Sequence, residues 1–419
     1  MVLGGGAAQG ARRLKIANST REPASQGEWV EFDEDAQEQV KAVREVEIMT
    51  GQHPIRVLVV DDSLVVRSVL TEILRCNAAT ELVGTAQSGE AALVKIPQLK
   101  PDVITLDIEM PGMNGLQTLA QIRKLYPKLP VIMFSTLTEH GASATLEALA
   151  LGATDYAAKP TSSEGLPGAR EQVQRELIAK ILALRPPVLQ SPHIPAHAPA
   201  SRRPISRRID IVAIGTSTGG PNALGEVILK FASDFPVPVV IVQHMPPLFT
   251  RLLAKHLSAR ASLMVQEGQS GTELNPGYVW IAPGDYHMTV LRDGNTIRLG
   301  LNQGAPEHSC RPAVDVLFRS VARTFGPHAL GVVMTGMGSD GTLGAKAIHQ
   351  AGGEIVIQDQ ATSVVWGMPG SVASAGLADH VYALGAIAPE IIRRVVARRP
   401  ASGSAAKLQR PVSTSRPAP

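Results

Sequence analysis

The chain of 419 residues carries a formal net charge of +3 and 44% hydrophobic residues, which is more apolar material than one core of ordinary size uses. That charge is small for the length, and no basic run with interleaved aromatics marks a nucleic-acid groove. Two cysteines without a C-x-x-C partner, Cys76 and Cys310, argue against a disulfide framework or a zinc site and favour a reducing, cytoplasmic setting. No apolar run reaches membrane-span length, so direct membrane insertion is not expected.

Residues 1 to 54 combine a Gly/Ala-rich start with the acidic stretch "EWVEFDEDAQEQ" and lack the basic-then-apolar order of a secretory leader. They read as a mostly disordered extension, with Met49 as a second candidate start. Residues 55 to 160 alternate β-rich runs, "IRVLVVDD", "ELVGTA", "PDVITLD", "PVIMFS" and "TDYAAKP", with helical segments, the rhythm of a parallel sheet with right-handed crossovers. Residues 161 to 208 form a linker: a helical piece, "AREQVQRELIAKILAL", then a Pro-dense stretch suited to an extended tether. A second α/β region covers residues 209 to 398, with strands "IDIVAIG", "VPVVIVQ", "YVWIAP", "ALGVVMT" and "GEIVIQD", and the polar tail 399 to 419 is expected to be disordered.

In an open parallel sheet, functional residues gather at the carboxyl ends of the strands. In the first region the strand ends carry Asp61 and Asp62, Asp107, Ser135 and Lys159. Each has a structural explanation by itself, and Asp62-Ser63 before "LVVRSVL" is a good helix-capping signal. Their joint occurrence instead describes a pocket in which three carboxylates need a hard cation such as Mg²⁺, beside one fixed positive charge and one hydroxyl. With "VVDDS", "LDIEMPGMNG" and "AAKP" in this order, residues 55 to 160 resemble a two-component receiver domain, which is flavodoxin-like. The resemblance implies phosphorylation on Asp107, Mg²⁺ held by Asp61, Asp62, Asp107 and the main chain of Glu109, and a switch made by Ser135, Tyr156 and Lys159.

In the second region "IGTSTGGPNAL" raises two readings. Its Gly-Thr-Ser-Thr-Gly core, around Ser217, fits the G-x-S-x-G turn of a hydrolase nucleophile, and its glycines equally suit a phosphate-cradling turn. The full phosphate-loop pattern is absent. Ser217, His244 and Asp340 all fall at strand ends along one edge, where a histidine can take the serine proton and an aspartate can orient the imidazole. Taken singly, each reads as an ordinary turn or loop residue. The order Ser, His, Asp also differs from the Ser, Asp, His of the general α/β-hydrolase.

The motifs "IGTSTGGPNAL", "VIVQHMPPLFT", "YVWIAPGDYHM", "RPAVDVLF" and "MTGMGSDG" resemble those of the chemotaxis protein-glutamate methylesterases, whose receiver-then-esterase order matches residues 55 to 395. The resemblance implies a doubly wound, mainly parallel α/β catalytic domain, with Ser217, His244 and Asp340 as its triad and the backbone amides of Thr218 and Met337 as its oxyanion hole. It further implies hydrolysis of glutamate γ-methyl esters on methyl-accepting chemotaxis receptors, with deamidation of receptor glutamines by the same chemistry. The same resemblance implies that the esterase step takes no cofactor and that the phosphodonor is a chemotaxis-type histidine kinase. Two departures stand out: Thr216 where the family commonly has a smaller residue, and Ala313 where serine is usual, both read as bearing on substrate fit. The competing readings are a receiver-controlled serine hydrolase of another substrate and a non-catalytic binding module. A DNA-binding output lacks any helix-turn-helix with a basic face.

Overall fold

The computed structural model describes residues 53–136, 138–159, 166–185 and 208–397. The expectations for the N-terminal extension, the Pro-dense part of the linker and the C-terminal tail lie outside the described residues, apart from the few at their edges. The first sheet joins β1 (Ile55–Val60), β2 (Thr80–Ala86), β3 (Val103–Asp107), β4 (Val131–Ser135) and β5 (Asp155–Ala158) in the order β2-β1-β3-β4-β5. All its pairings are parallel. β3 and β4 are buried throughout, as central strands covered on both faces must be, which is why they are mainly apolar rather than alternating. Helices α1 (Leu64–Arg75), α2 (Gly89–Leu99), α3 (Gly115–Leu125) and α4 (Glu139–Ala150) connect the strands. Each begins at a side-chain cap, Ser63, Ser88, Asn114 or Thr138, whose oxygen accepts an otherwise orphaned amide of the first turn. The linker helix α5 (Leu166–Ala183) buries Val173, Leu177 and Ile181 in one cluster with Val57, Ile132 and Phe134 of this sheet.

The second region runs β6 (Ile211–Thr216), α6 (Gly220–Ile228), β7 (Val239–Gln243), α7 (Pro247–Ser258), β8 (Met264–Glu267), β9 (Tyr278–Ile281) and an antiparallel hairpin of β10 (His287–Asp293) and β11 (Thr296–Asn302). It continues through α8 (Val314–Phe325), β12 (Ala329–Val333), α9 (Thr342–Gln350), β13 (Glu354–Gln358), α10 (Met368–Ser374), β14 (His380–Tyr382) and α11 (Leu384–Val396). Seven strands form one sheet in the order β14-β13-β12-β6-β7-β9-β8, with every pairing parallel. Sequence reading anticipated five of these strands. The two it missed are the edge strands β8 and β14, and it also missed the hairpin.

Both sheets reverse their direction of winding beside their first strand, between β1 and β3 and between β6 and β12. Crossovers leave such a point on opposite faces and open a crevice above it. The helical layers of the two regions touch: the Tyr156 ring stacks on Phe249 of α7 with centroids 4.6 Å apart and planes 12° from parallel. Around that stack, Arg251 donates to Glu139 Oε1 at 2.8 Å and Asn222 Nδ2 donates to the Ala153 carbonyl at 3.1 Å.

Candidate active site

At the first switch point the structure brings the expected acidic residues together. Asp61, Asp62 and Asp107 each offer a carboxylate oxygen within 4.8 Å of the others. Lys159 Nζ lies 2.7 Å from Asp107 Oδ1 and 3.2 Å from Asp61 Oδ2. The Glu109 amide donates to Asp107 Oδ1 at 3.3 Å. Asp107 is nearly fully buried, and burial pushes its carboxyl up to about 6 against the opposing pull of Lys159. Its Oδ2 is buried without a hydrogen-bond partner. An all-oxygen donor set with such an unpartnered oxygen fits Mg²⁺. Ser135, at the end of β4, donates to the Gly141 carbonyl at 3.1 Å. Tyr156 is buried against Phe249 rather than in the acidic pocket.

The second crevice is built from three adjacent strands. Ser217 follows β6, His244 follows its neighbour β7, and Asp340 lies on the loop after β12, the neighbour on the other side. Asp340 Oδ2 accepts from His244 Nε2 at 2.8 Å, which makes Nδ1 the nitrogen that exchanges a proton, with the Cys310 sulfur also within bonding reach of the ring. Asp340 is buried yet held as an anion: Oδ2 also accepts the Val314 amide at 2.7 Å, and Oδ1 accepts the Asp315 and Gly341 amides at 2.9 and 2.8 Å. Burial depresses the His244 imidazole, but the Asp340 hydrogen bond and the Cys310 sulfur outweigh it and push it up to about 9. The burial penalty on Asp340 is likewise outweighed, chiefly by His244, so its carboxyl sits below the usual range.

The Ser217 turn owes its shape to its neighbours. Gly219 has φ of 75°, and a Cβ there would lie 2.7 Å from the Val364 side chain. A Cβ at Gly220 would fall 1.9 Å from Gln243 Oε1 and 2.6 Å from Thr216 Oγ1. The occupant of that space is a clamp: the Thr216 hydroxyl donates to Gln243 Oε1, and Gln243 Nε2 donates to the carbonyls of Ser217 at 3.0 Å and His244 at 3.3 Å. One buried amide therefore fixes the backbone at both strand ends. Thr335 does the same on the other side, its carbonyl accepting the Ser217 amide at 3.1 Å and its hydroxyl donating to the Thr218 carbonyl at 2.9 Å. Among the described residues, the Thr218 and Met337 amides have no acceptor within the chain.

The structure revises the reading of the two departures. Thr216 is fully buried and turned toward Gln243, and Ala313 is fully buried as the N-cap of α8; neither lines the crevice. Sequence reasoning missed Gln243 and Thr335. Their only signal is a polar residue closing an apolar run, "VIVQ" and "VVMT".

The crevice, about 540 Å³, is lined by Ser217, His244, Asp340 and Cys310 on one side and by Asp155, Tyr156, Glu176 and Lys180 on the other. Residues of the first sheet and of the linker helix therefore form part of its wall. Lys180 pairs with Glu176 at 3.0 Å and Asp155 at 3.6 Å and donates to the Tyr156 carbonyl.

Known proteins carry the same two parts in the same order. The family model for the CheB methylesterase matches residues 212–391, and that for the response regulator receiver domain matches residues 57–169. The protein-glutamate methylesterase/protein-glutamine glutaminase of Trichodesmium erythraeum is 48% identical over 347 residues, covering 81% of this chain and 99% of that protein. Its counterpart in Nocardioides sp. is 49% identical over 357 residues, covering 83% and 97%. Matched over nearly the whole length of such relatives, with a receiver preceding the catalytic region, the chain belongs to the protein-glutamate methylesterase/protein-glutamine glutaminase family.

Proposed function

We propose that the chain hydrolyses glutamate γ-methyl esters on methyl-accepting chemotaxis receptors and deamidates receptor glutamines, using Ser217 as nucleophile and His244 as base. The observation that carries this reading is the His244 to Asp340 bond of 2.8 Å, held at strand ends that flank Ser217. Asp340 accepts the hydrogen bond of Nε2–H and stays ionised, so His244 Nδ1 accepts the Ser217 proton as Oγ bonds to the ester carbonyl carbon and the carbonyl π electrons move to its oxygen. The oxyanion that forms is met by the Thr218 and Met337 amides. Methanol, or ammonia from glutamine, leaves with the proton from His244, and water then repeats the path to release the glutamate and free Ser217.

The receiver governs access. Asp107 is the phosphoacceptor, with Mg²⁺ held by Asp61, Asp62, Asp107 and the main chain of Glu109; the ion, when bound, neutralises charge on the incoming phosphoryl group. Ser135, Lys159 and Tyr156 read out the modification, and the phosphodonor is a chemotaxis-type histidine kinase. The stacking of Tyr156 on Phe249 supports a state in which the unmodified receiver restricts the crevice, and new charge at Asp107 shifts that contact. Membranes carrying methyl-labelled receptors, incubated with the protein plus a phosphodonor and Mg²⁺, should release labelled methanol. Ser217→Ala should abolish the release, and unchanged release by that variant would refute the assignment.

A further inference from the structure

Beside the catalytic pair lies a second one with no part in the proton path above. His308 Nε2 is 2.9 Å from Asp315 Oδ2, and Asp315 is fully buried while the His308 side chain is one-third exposed at the crevice. The Asp315 backbone amide donates to Asp340 Oδ1 at 2.9 Å, and its carboxylate accepts the Gly344 amide at 2.6 Å. Asp315 thus ties the first turn of α8 to the first turn of α9, with the Asp340 carboxylate held between them. The carboxylates of Asp315 and Asp340 come within 4.8 Å, and two buried anions at that range repel unless a donor or a cation offsets one of them. His308 is that donor for Asp315. His244 is the partner of Asp340, and Arg319, which also feels both carboxylates, is committed to Glu307 at 2.5 Å.

The chain presents His308 at a conformational cost. His308 and Ser309 have φ of 50° and 58° and form the two central residues of a turn closed by paired backbone bonds between Glu307 and Cys310. Glycine and asparagine are the usual occupants of such positions, and backbone held in sparsely populated regions gathers where geometry serves function.

We propose that His308 and Asp315 are a positioning pair for the reaction, fixing Asp340 and, through it, His244. This rests on the Ser217, His244 and Asp340 reading above. The test uses the full chain with phosphodonor and Mg²⁺, and measures kcat and KM for methanol release across the pH range for Ser217→Ala, His308→Ala, His308→Gln and Asp315→Asn. His308→Ala should lower kcat by about tenfold or more at unchanged KM and shift the pH at which the rate rises. His308→Gln, which keeps an N–H donor for Asp315, should recover most of kcat and restore the wild-type pH profile. If Asp315→Asn fails to fold, His308→Ala, on a partly exposed side chain, still decides. Wild-type kcat and pH profile in His308→Ala, or a change confined to KM, beside an inactive Ser217→Ala, would overturn the inference alone. An active Ser217→Ala would remove the triad and the inference with it.

Discussion

Gly220→Ala and Gly225→Ala make the same change in the same helix and should have opposite effects. A Cβ at Gly220 lands 1.9 Å from Gln243 Oε1 and 2.9 Å from Thr216 Cβ, so the Gln243 amide must move, whereas a Cβ at Gly225 meets nothing within 4 Å. Moving Gln243 disrupts three hydrogen bonds, to the Thr216 hydroxyl and the Ser217 and His244 carbonyls. Buried polar groups left unpaired cost about 1 to 3 kcal/mol each, and partial relaxation leaves an expected loss of roughly 3 kcal/mol. For a region of this size that lowers Tm by about 6 to 12 °C. Gly225→Ala should instead gain about 0.5 to 1 kcal/mol, the ordinary return for removing a helix-interior glycine. Thermal unfolding followed by circular dichroism reads the stability, and methanol release reads the site, which Gly220→Ala should impair far beyond its effect on Tm. Equal Tm values for the two variants would refute the clamp.

The His244 imidazole, pushed up to about 9 despite burial, must lose its proton to act as a base. The value of kcat/KM should therefore rise about tenfold per pH unit from neutrality and level off near pH 9; a plateau already at pH 7 contradicts this. The sign for stability follows: the folded-state value exceeds 6.5, so the stabilisation from the His244 to Asp340 pair is complete below pH 6.5 and is lost as the pH rises through about 9, as denaturant midpoints at several pH values would show. Asp107, raised to about 6 by burial, must ionise to hold Mg²⁺; calorimetric Mg²⁺ affinity should fall as the pH drops below 6, and a pH-independent affinity would count against Asp107 as a ligand. Arg251→Glu should raise basal methanol release about two- to fivefold, the scale of one exposed ion pair, by repelling Glu139. The double exchange with Glu139→Arg should restore the low rate; failure of that rescue argues against the contact as a brake.

The fold was most plainly legible where both faces of a strand are covered, although the half-exposed edge strand β2 was also readable. β1, β3, β4, β6, β7 and β12 are dominated by buried apolar residues, so their ends, and the residues just beyond them, could be read off. β8, "MVQE", and β14, "HVY", show no sustained apolar run, whereas β5 and β9, comparably short, sit in the longer runs "TDYAAKP" and "YVWIAP". The hairpin has a signal in Gly294-Asn295 between its strands, but its polar, half-exposed strands stand out weakly among the parallel βα units around it. At the crevice, the residues that do chemistry stood at strand ends where the topology makes a site. Those that hold them, Gln243, Thr335 and Asp315, looked like incidental polar residues, since their role lies in contacts between segments far apart along the chain. The family resemblance marked Thr216 and Ala313 as unusual but misjudged why, because spacing does not reveal which way a buried side chain turns.

Ala313 has one further consequence. As the N-cap of α8 it offers no side-chain oxygen to the helix, and the orphaned amides of Val314 and Asp315 turn instead to the Asp340 carboxylate. That carboxylate is thus at once the partner of His244 and the cap of a helix at the centre of the region. Chemistry and architecture draw on the same two oxygens, so a substitution at Asp340 cannot silence the site without loosening the scaffold beneath it. The chain has little freedom to trade that residue away, and an inactive, intact reference protein is better made at Ser217.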